Sequence, residues 1–212
     1  MLLIDTDMLI LLAASGTLAK VVAQLGFEMK DVRRLAAASH QARKSKSFRD
    51  LYGASVLEKV LPQIESIAVV EPAADLALLD QLSGLLDPGE AMLVAIATAQ
   101  HGSVLLSGDK RAILALGSAG PQQCIDALQG RVVTLEAVLW VLLKEVDSVS
   151  LRNVFLVAPA HKTLRVVLSE SAATSNETCA AAIRSYYNDM HTGANGLLFN
   201  PEPGELGRSG SG

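Results

Sequence analysis

Apolar residues in this chain fall into short continuous runs separated by longer stretches of helical periodicity. Leu2-Leu3-Ile4 is the first run and ends at Asp5, the pattern of a strand buried on both faces. Met8 to Leu25 predicts a helix stopped by Gly26. The segment from Asp31 to about Gln63 predicts helix, broken near Ser45 and again at Gly53. Ile67-Ala68-Val69-Val70 reads as the next strand, closed by Glu71-Pro72, and Ala73 to Leu86 as the helix after it. Asp87, Pro88 and Gly102 supply an N-cap, a first-turn proline and a stop for a helix running to Gln100. Ser103 to Leu106 is a third strand, and Ser107-Gly108-Asp109 turns into another helix. Arg131 to Thr134 is the last strand, and Leu135 to Val146 a strongly apolar helix.

Strands alternating with helices predict an α/β fold with helices on both faces of a mostly parallel sheet, a three-layer α/β/α arrangement. Beyond residue 147 the strand signals stop. Ser150 to Glu170 predicts helices broken at Pro159, and Asn176 to His191 one more. From Thr192 onward, six glycines and two prolines predict a flexible tail, and its final Gly-Arg-Ser-Gly-Ser-Gly has the composition of a cloning remnant. The expected division is therefore 1–146 as the α/β domain, 147–191 as a helical extension and 192–212 as tail.

Composition narrows the function classes. Half of the residues are hydrophobic and only 4% aromatic, so the core is built from Leu, Ala, Val and Ile. A net charge of −4 excludes a polycation, and any nucleic-acid contact must come from a local patch. Cys124 and Cys179 form neither a metal-site spacing nor a disulfide framework, so reduced, buried thiols are expected. Asp5 and Asp7 interrupt the apolar N-terminus, which lacks a basic leader, and no run approaches the ~20 apolar residues of a membrane span. These features predict a cytoplasmic protein with no membrane attachment.

Ligands of open α/β sheets bind outside the carboxyl ends of the strands. That rule selects Asp5 and Asp7 after the first strand, Glu71 after the second and Asp109 after the third. Glu90 joins them from the first turn of the helix leading into the third strand. Each has an ordinary alternative: Asp5, Asp7 or Asp109 as a helix cap, Glu90 as a partner of the helix dipole. Together, carboxylates at one edge repel unless a cation lies between them, and such hard oxygen donors suit Mg²⁺ or Mn²⁺.

Leu-Ile-Asp5-Thr-Asp, then Pro-Gly-Glu90-Ala-Met-Leu-Val-Ala-Ile-Ala-Thr-Ala, then Val-Leu-Leu-Ser-Gly-Asp109-Lys-Arg-Ala resembles the acidic framework of PIN-domain nucleases over about residues 1–145. In that family an Asp ends the first strand, an acid begins a helix rich in small residues, and a Ser/Thr-x-Asp follows a buried strand roughly twenty residues later. The resemblance implies phosphodiester hydrolysis, most often of RNA with DNA as an alternative. Asp5, Glu90 and Asp109 would be the catalytic metal ligands, with Asp7, Ser107 and Lys110 in support: Ser107 fixing the turn, Lys110 touching a substrate phosphate. Compact members of the family often serve as toxins, which adds an antitoxin-like protein as a candidate partner, and the sequence leaves a homo-oligomer open. The chain departs from the pattern in lacking a clear early helical acid, for which Glu28 and Asp31 are the candidates, and in carrying Arg111 where some members have a further acid.

Between Val32 and Arg49 there is no acid, yet Arg33, Arg34, Arg43, Lys44, Lys46 and Arg49 fall there, six of the chain's 18 Lys and Arg. This run predicts either a solvated helical face or a phosphate-tracking arm beside the metal site. Two other functions are compatible with the sequence. Leu-Leu-Ile-Asp5-Thr-Asp7 also resembles the nucleophile motif of haloacid-dehalogenase phosphatases, although Ala112 and Ile113 stand where a second metal-binding Asp is wanted. A PIN-like module that binds RNA or protein without cutting is the other.

Overall fold

The computed structural model describes residues 1–72 and 75–202. Four short strands, β1 (Leu2–Ile4), β2 (Val32–Arg34), β3 (Val104–Leu106) and β4 (Val132–Val133), form a parallel sheet in the order β2-β1-β3-β4. Leu2 lies between Val32 and Val104, and Ile4 between Arg34 and Leu106. The two central strands are apolar throughout and buried, as strands covered on both faces must be. Single parallel bridges extend the sheet at either side, Val69 beside Arg34 and Leu198 beside Val132.

The helices α1 (Thr6–Ala14), α2 (Leu18–Gln24), α3 (Ala37–Lys44), α4 (Lys46–Tyr52) and α5 (Ala54–Ser66) pack largely among themselves and against α10 (Leu135–Leu143). A second group comprises α6 (Leu76–Ser83), α7 (Pro88–Ala99), α8 (Lys110–Ala119) and α9 (Gln122–Leu128). Three more helices, α11 (Ser148–Phe155), α12 (Lys162–Val167) and α13 (Asn176–His191), follow among the described residues, with α13 lying along α10. The result is the expected α/β architecture with C-terminal helices. Residues of all these helices belong to one continuous core, and no single helix among the described residues is long and apolar enough to cross a membrane. Cys124 and Cys179 are buried free thiols.

Several predicted elements take a different form. The helix expected over Met8–Leu25 is two helices meeting at 113°, because Gly16 adopts a positive φ between them and the Ser15 and Thr17 hydroxyls pair at 2.8 Å. The helix expected from Asp31 begins instead with a 3-10 turn (Met29–Asp31) and strand β2. The predicted strand at Ile67–Val70 shrinks to the bridge at Val69. The predicted helix over Ala73–Leu86 is confined to α6, capped by Asp75, while Ala73 and Ala74 lie outside the described residues.

The stretch after Thr192, expected to be loose, is packed as far as Pro201. Leu197 and Phe199 flank β4 through backbone hydrogen bonds, Val132 N donating to Leu197 O and Phe199 N to Val132 O. Leu197, Leu198 and Phe199 are buried there. Residues 203–212 of the expected tail lie outside the described residues.

Candidate functional site

Because all strands are parallel, their carboxyl ends share one edge, and the acids cluster there. Asp5 ends β1 and caps α1: Met8 N donates to its Oδ1 at 2.7 Å. Its other oxygen accepts from Gly108 N at 2.9 Å, tying the end of β1 to the turn after β3. Within that turn, Asp109 N donates to Ser107 Oγ at 3.3 Å, and the buried Ser107 hydroxyl also bonds Asp5. A Cβ at Gly108 would stand 3.2 Å from Met8 Sδ, so a larger residue there requires the methionine to shift. Asp109 caps α8, one oxygen accepting from both Arg111 N and Ala112 N. Asp87 and Glu90 form a reciprocal capping box at the start of α7, Glu90 N donating to Asp87 at 2.9 Å and Asp87 N to Glu90 at 3.1 Å. The ordinary roles considered for Asp5, Glu90 and Asp109 are thus real, and they aim these carboxylates at one region.

The acids there feel one another. Burial pushes the Asp5 carboxyl up to about 6, with the Ser107, Met8 and Gly108 hydrogen bonds opposing and Asp7 adding to the rise. Glu90 is pushed up to about 7, by burial first and then by Asp109 and Asp87, against the Asp87 backbone bond. Asp7 is raised by burial, by Asp109 and by Asp87, and accepts no hydrogen bond among the described residues. The Tyr52 hydroxyl, from the end of α4, is also raised, by burial and then by Asp7 and Asp5. Charge coupling therefore links five carboxylates and a phenol at this edge. Beneath it, Asp5, Glu90 and Ser107 border an otherwise apolar cavity of about 20 Å³, lined in part by Leu93, Leu105 and Ile113. That space has room for about one water molecule.

The donor set fits a hard divalent cation in chemistry: these side chains are all carboxylates, and their one ion pair among the described residues joins Asp109 to the exposed Arg111 at 3.8 Å. It is not pre-assembled, since no three of these side chains among the described residues converge as a metal-ligand group. Asp7 and Glu90 lie on the first turns of α1 and α7.

Other predicted residues lie elsewhere. Lys110 does not face the acids. Its Nζ is 2.6 Å from Glu136 Oε1 and 4.8 Å from the ring centre of Tyr186, a half-buried ion pair that directs the ammonium away from the expected phosphate contact. Glu28 and Asp31 cap the 3-10 turn before β2, at the amino edge opposite the site, and supply no early acid. Glu71 is exposed beyond the Val69 bridge.

The basic run does not form one helical arm. Arg33 and Arg34 are in β2, and Arg34 is only 6% exposed, its guanidinium donating to the carbonyls of Ile64, Ile67 and Leu35. It thereby satisfies carbonyls at the end of α5 and is removed from any phosphate-binding role. Arg33 donates to the Lys30 and Val32 carbonyls, Arg43 pairs with Glu65, and Arg49 donates to Lys44 O. Arg43, Lys44, Lys46 and Arg49 are exposed on α3 and α4.

Sequence reasoning missed three residues. Asp87 was legible only as a cap, although its capping box carries it to the cluster. Glu136 stands two residues after the fourth predicted strand, so the carboxyl-edge rule reaches it. Tyr52 left no signal. Comparison with family models, with curated proteins and with solved structures finds no match for this chain.

Proposed function

We propose that the chain is a metal-dependent nuclease of the cytoplasm that hydrolyses phosphodiester bonds, with RNA as the preferred substrate. The observation that carries this reading is the placement of Asp5, Asp7, Glu90 and Asp109, with Asp87 beside them, at the carboxyl edge of a parallel sheet, where burial and the neighbouring acids push Asp5 to about 6 and Glu90 to about 7. Like charges held together in this way create an affinity for a cation. A bound Mg²⁺ or Mn²⁺ would polarise the phosphoryl group and acidify a water molecule.

The chain's own residues do the rest. Asp5, held by two backbone N–H groups and Ser107, is the rigid member of the set. Asp109 has one oxygen engaged in capping α8, and its second is held only by the exposed Arg111 at 3.8 Å, a partner that a cation can displace. Asp7, which accepts no hydrogen bond among the described residues, is the adaptable member, and Glu90 is tied by one oxygen to Asp87 N. The exposed cations of α3 and α4 suit a phosphate backbone, and α4 ends at the acids through Tyr52.

The test is cleavage of single-stranded RNA in Mn²⁺. Glu90→Gln and Asp109→Asn each preserve the capping bonds while removing a charge. Each is expected to reduce cleavage at least about 100-fold with the far-ultraviolet spectrum unchanged. Full activity in either variant, or hydrolysis of phosphate monoesters that needs Asp7 and not Glu90, overturns the reading.

A further inference from the structure

Lys110 follows Asp109 directly, so its backbone stands at the same sheet edge as the acids, with a four-carbon stem that gives its ammonium a choice of destination. Its ammonium lies instead against Glu136, in the first turn of α10 beyond the end of β4. The Tyr186 ring from α13 covers it, and it has no ion pair with any of the five acids among the described residues. Glu136 is 1% exposed. Neither of its oxygens accepts an aligned hydrogen bond, so the 2.6 Å ion pair is its principal compensation. His161, at the start of α12, senses both charges, and burial lowers its pKa, which favours the neutral imidazole.

Such a pair is a poor stabilising device. A buried carboxylate without hydrogen-bond support loses more in hydration than one ion pair returns, and apolar residues of similar volume would hold α8, α10 and α13 together at least as well. What the pair does achieve is a position for the ammonium.

We propose that Glu136 is a positioning residue: its buried carboxylate holds the Lys110 ammonium out of the acidic cluster, so that the cluster keeps its negative charge for a divalent cation. This rests on the metal-binding reading above. With Glu136 neutral, the nearest concentration of negative charge open to Lys110 is the cluster itself, and the lysine becomes a built-in competitor of the metal.

The experiment measures Mn²⁺ affinity by titration calorimetry on the full chain, comparing wild type, Glu136→Gln, Lys110→Met and the double variant. Glu136→Gln should bind Mn²⁺ about tenfold more weakly. Lys110→Met should bind at least as tightly as wild type, and adding Lys110→Met to Glu136→Gln should restore the affinity. Glu136→Met, which fills the same space without charge, serves in place of the Gln variant if that fails to fold. Affinity of Glu136→Gln within about twofold of wild type overturns the proposal, as does a double variant that stays weak, which would assign Glu136 a merely structural role.

A metal-free arm separates this failure from failure of the nuclease reading. In chelator, Glu90→Gln should raise the melting temperature of wild type by relieving repulsion. It should raise that of Glu136→Gln much less, because Lys110 already neutralises the cluster. Equal increments in the two backgrounds overturn the proposal. A wild type that binds no Mn²⁺ overturns the nuclease reading, and the chelator arm still decides where Lys110 goes.

Discussion

At the scale of single residues, the contrast between Arg34 and its neighbours shows how one charge run divides into two jobs. Arg34 has three carbonyl partners and almost no exposure, whereas the Lys44 and Lys46 ammonium groups are in solvent with no polar partner among the described residues. Arg34→Lys replaces a planar fork with a single point donor and strands buried carbonyls. It should lower stability in urea denaturation by about 2–4 kcal/mol. The paired change of Lys44 and Lys46 to Glu should leave the melting temperature within about 2 °C while weakening RNA binding and flattening its salt dependence. A stable Arg34→Lys variant, or an unchanged salt slope in the lysine variant, would reverse these assignments. The acids were more legible than the bases. Asp5 and Asp109 each follow an apolar run and precede a helix, so local chemistry fixes where they stand. The fate of an arginine depends on which carbonyls the fold leaves unpaired, and α5 ends some 30 residues away in sequence.

At the scale of elements, the segment after α13 is the clearest correction. Gly117, on the inner side of α8, lies so close to the turn at Gly193 and Ala194 that an added Cβ would be 2.8 Å from their backbone. This contact seats the chain so that Leu197, Leu198 and Phe199 run along β4. Gly117→Ala should therefore destabilise by about 1–3 kcal/mol through overpacking. Truncation after His191 should cost more, since it uncovers three buried apolar side chains worth about 1.5–3 kcal/mol each. Calorimetric melting of both variants checks this, and a truncated chain as stable as the full one would restore the view of a loose tail. Glycine and proline content pointed to flexibility because composition records backbone freedom; it does not record a sheet edge waiting for a partner.

At the scale of the molecule, the acid cluster sets a pH dependence with a definite sign. Asp5 rises from 3.8 to about 6 and Glu90 from 4.5 to about 7 on folding, so the folded state holds these protons more tightly than the unfolded chain. Their contribution to stability is fully present below about pH 4 and is lost as pH rises through about 7. In chelator, the difference in melting temperature between Glu90→Gln and wild type should grow in favour of the variant across that window. Millimolar Mn²⁺ should stabilise wild type most at its upper end, where the ligands have shed their protons. Parallel melting curves for the two proteins from pH 4 to pH 7.5, with or without metal, would remove the cluster as the source.

The sequence by itself determined the α/β class, the two central strands, the helix starts at Asp87 and Asp109, and the candidate acids at one sheet edge. These follow from rules that act over a few residues: apolar runs long enough for a buried strand, side chains that cap the next helix, glycine where the backbone turns. Only the tertiary structure decided the partners of Arg34 and Lys110, the arrival of Asp87 and Tyr52 at the acids, and the docking of residues 197–199 on β4. Those depend on contacts between residues distant in the chain, such as Asp5 with Gly108, Arg34 with Ile64, and Lys110 with Glu136. A charge takes the nearest compensating group that folding brings to it, and that distance is set by packing rather than by sequence separation.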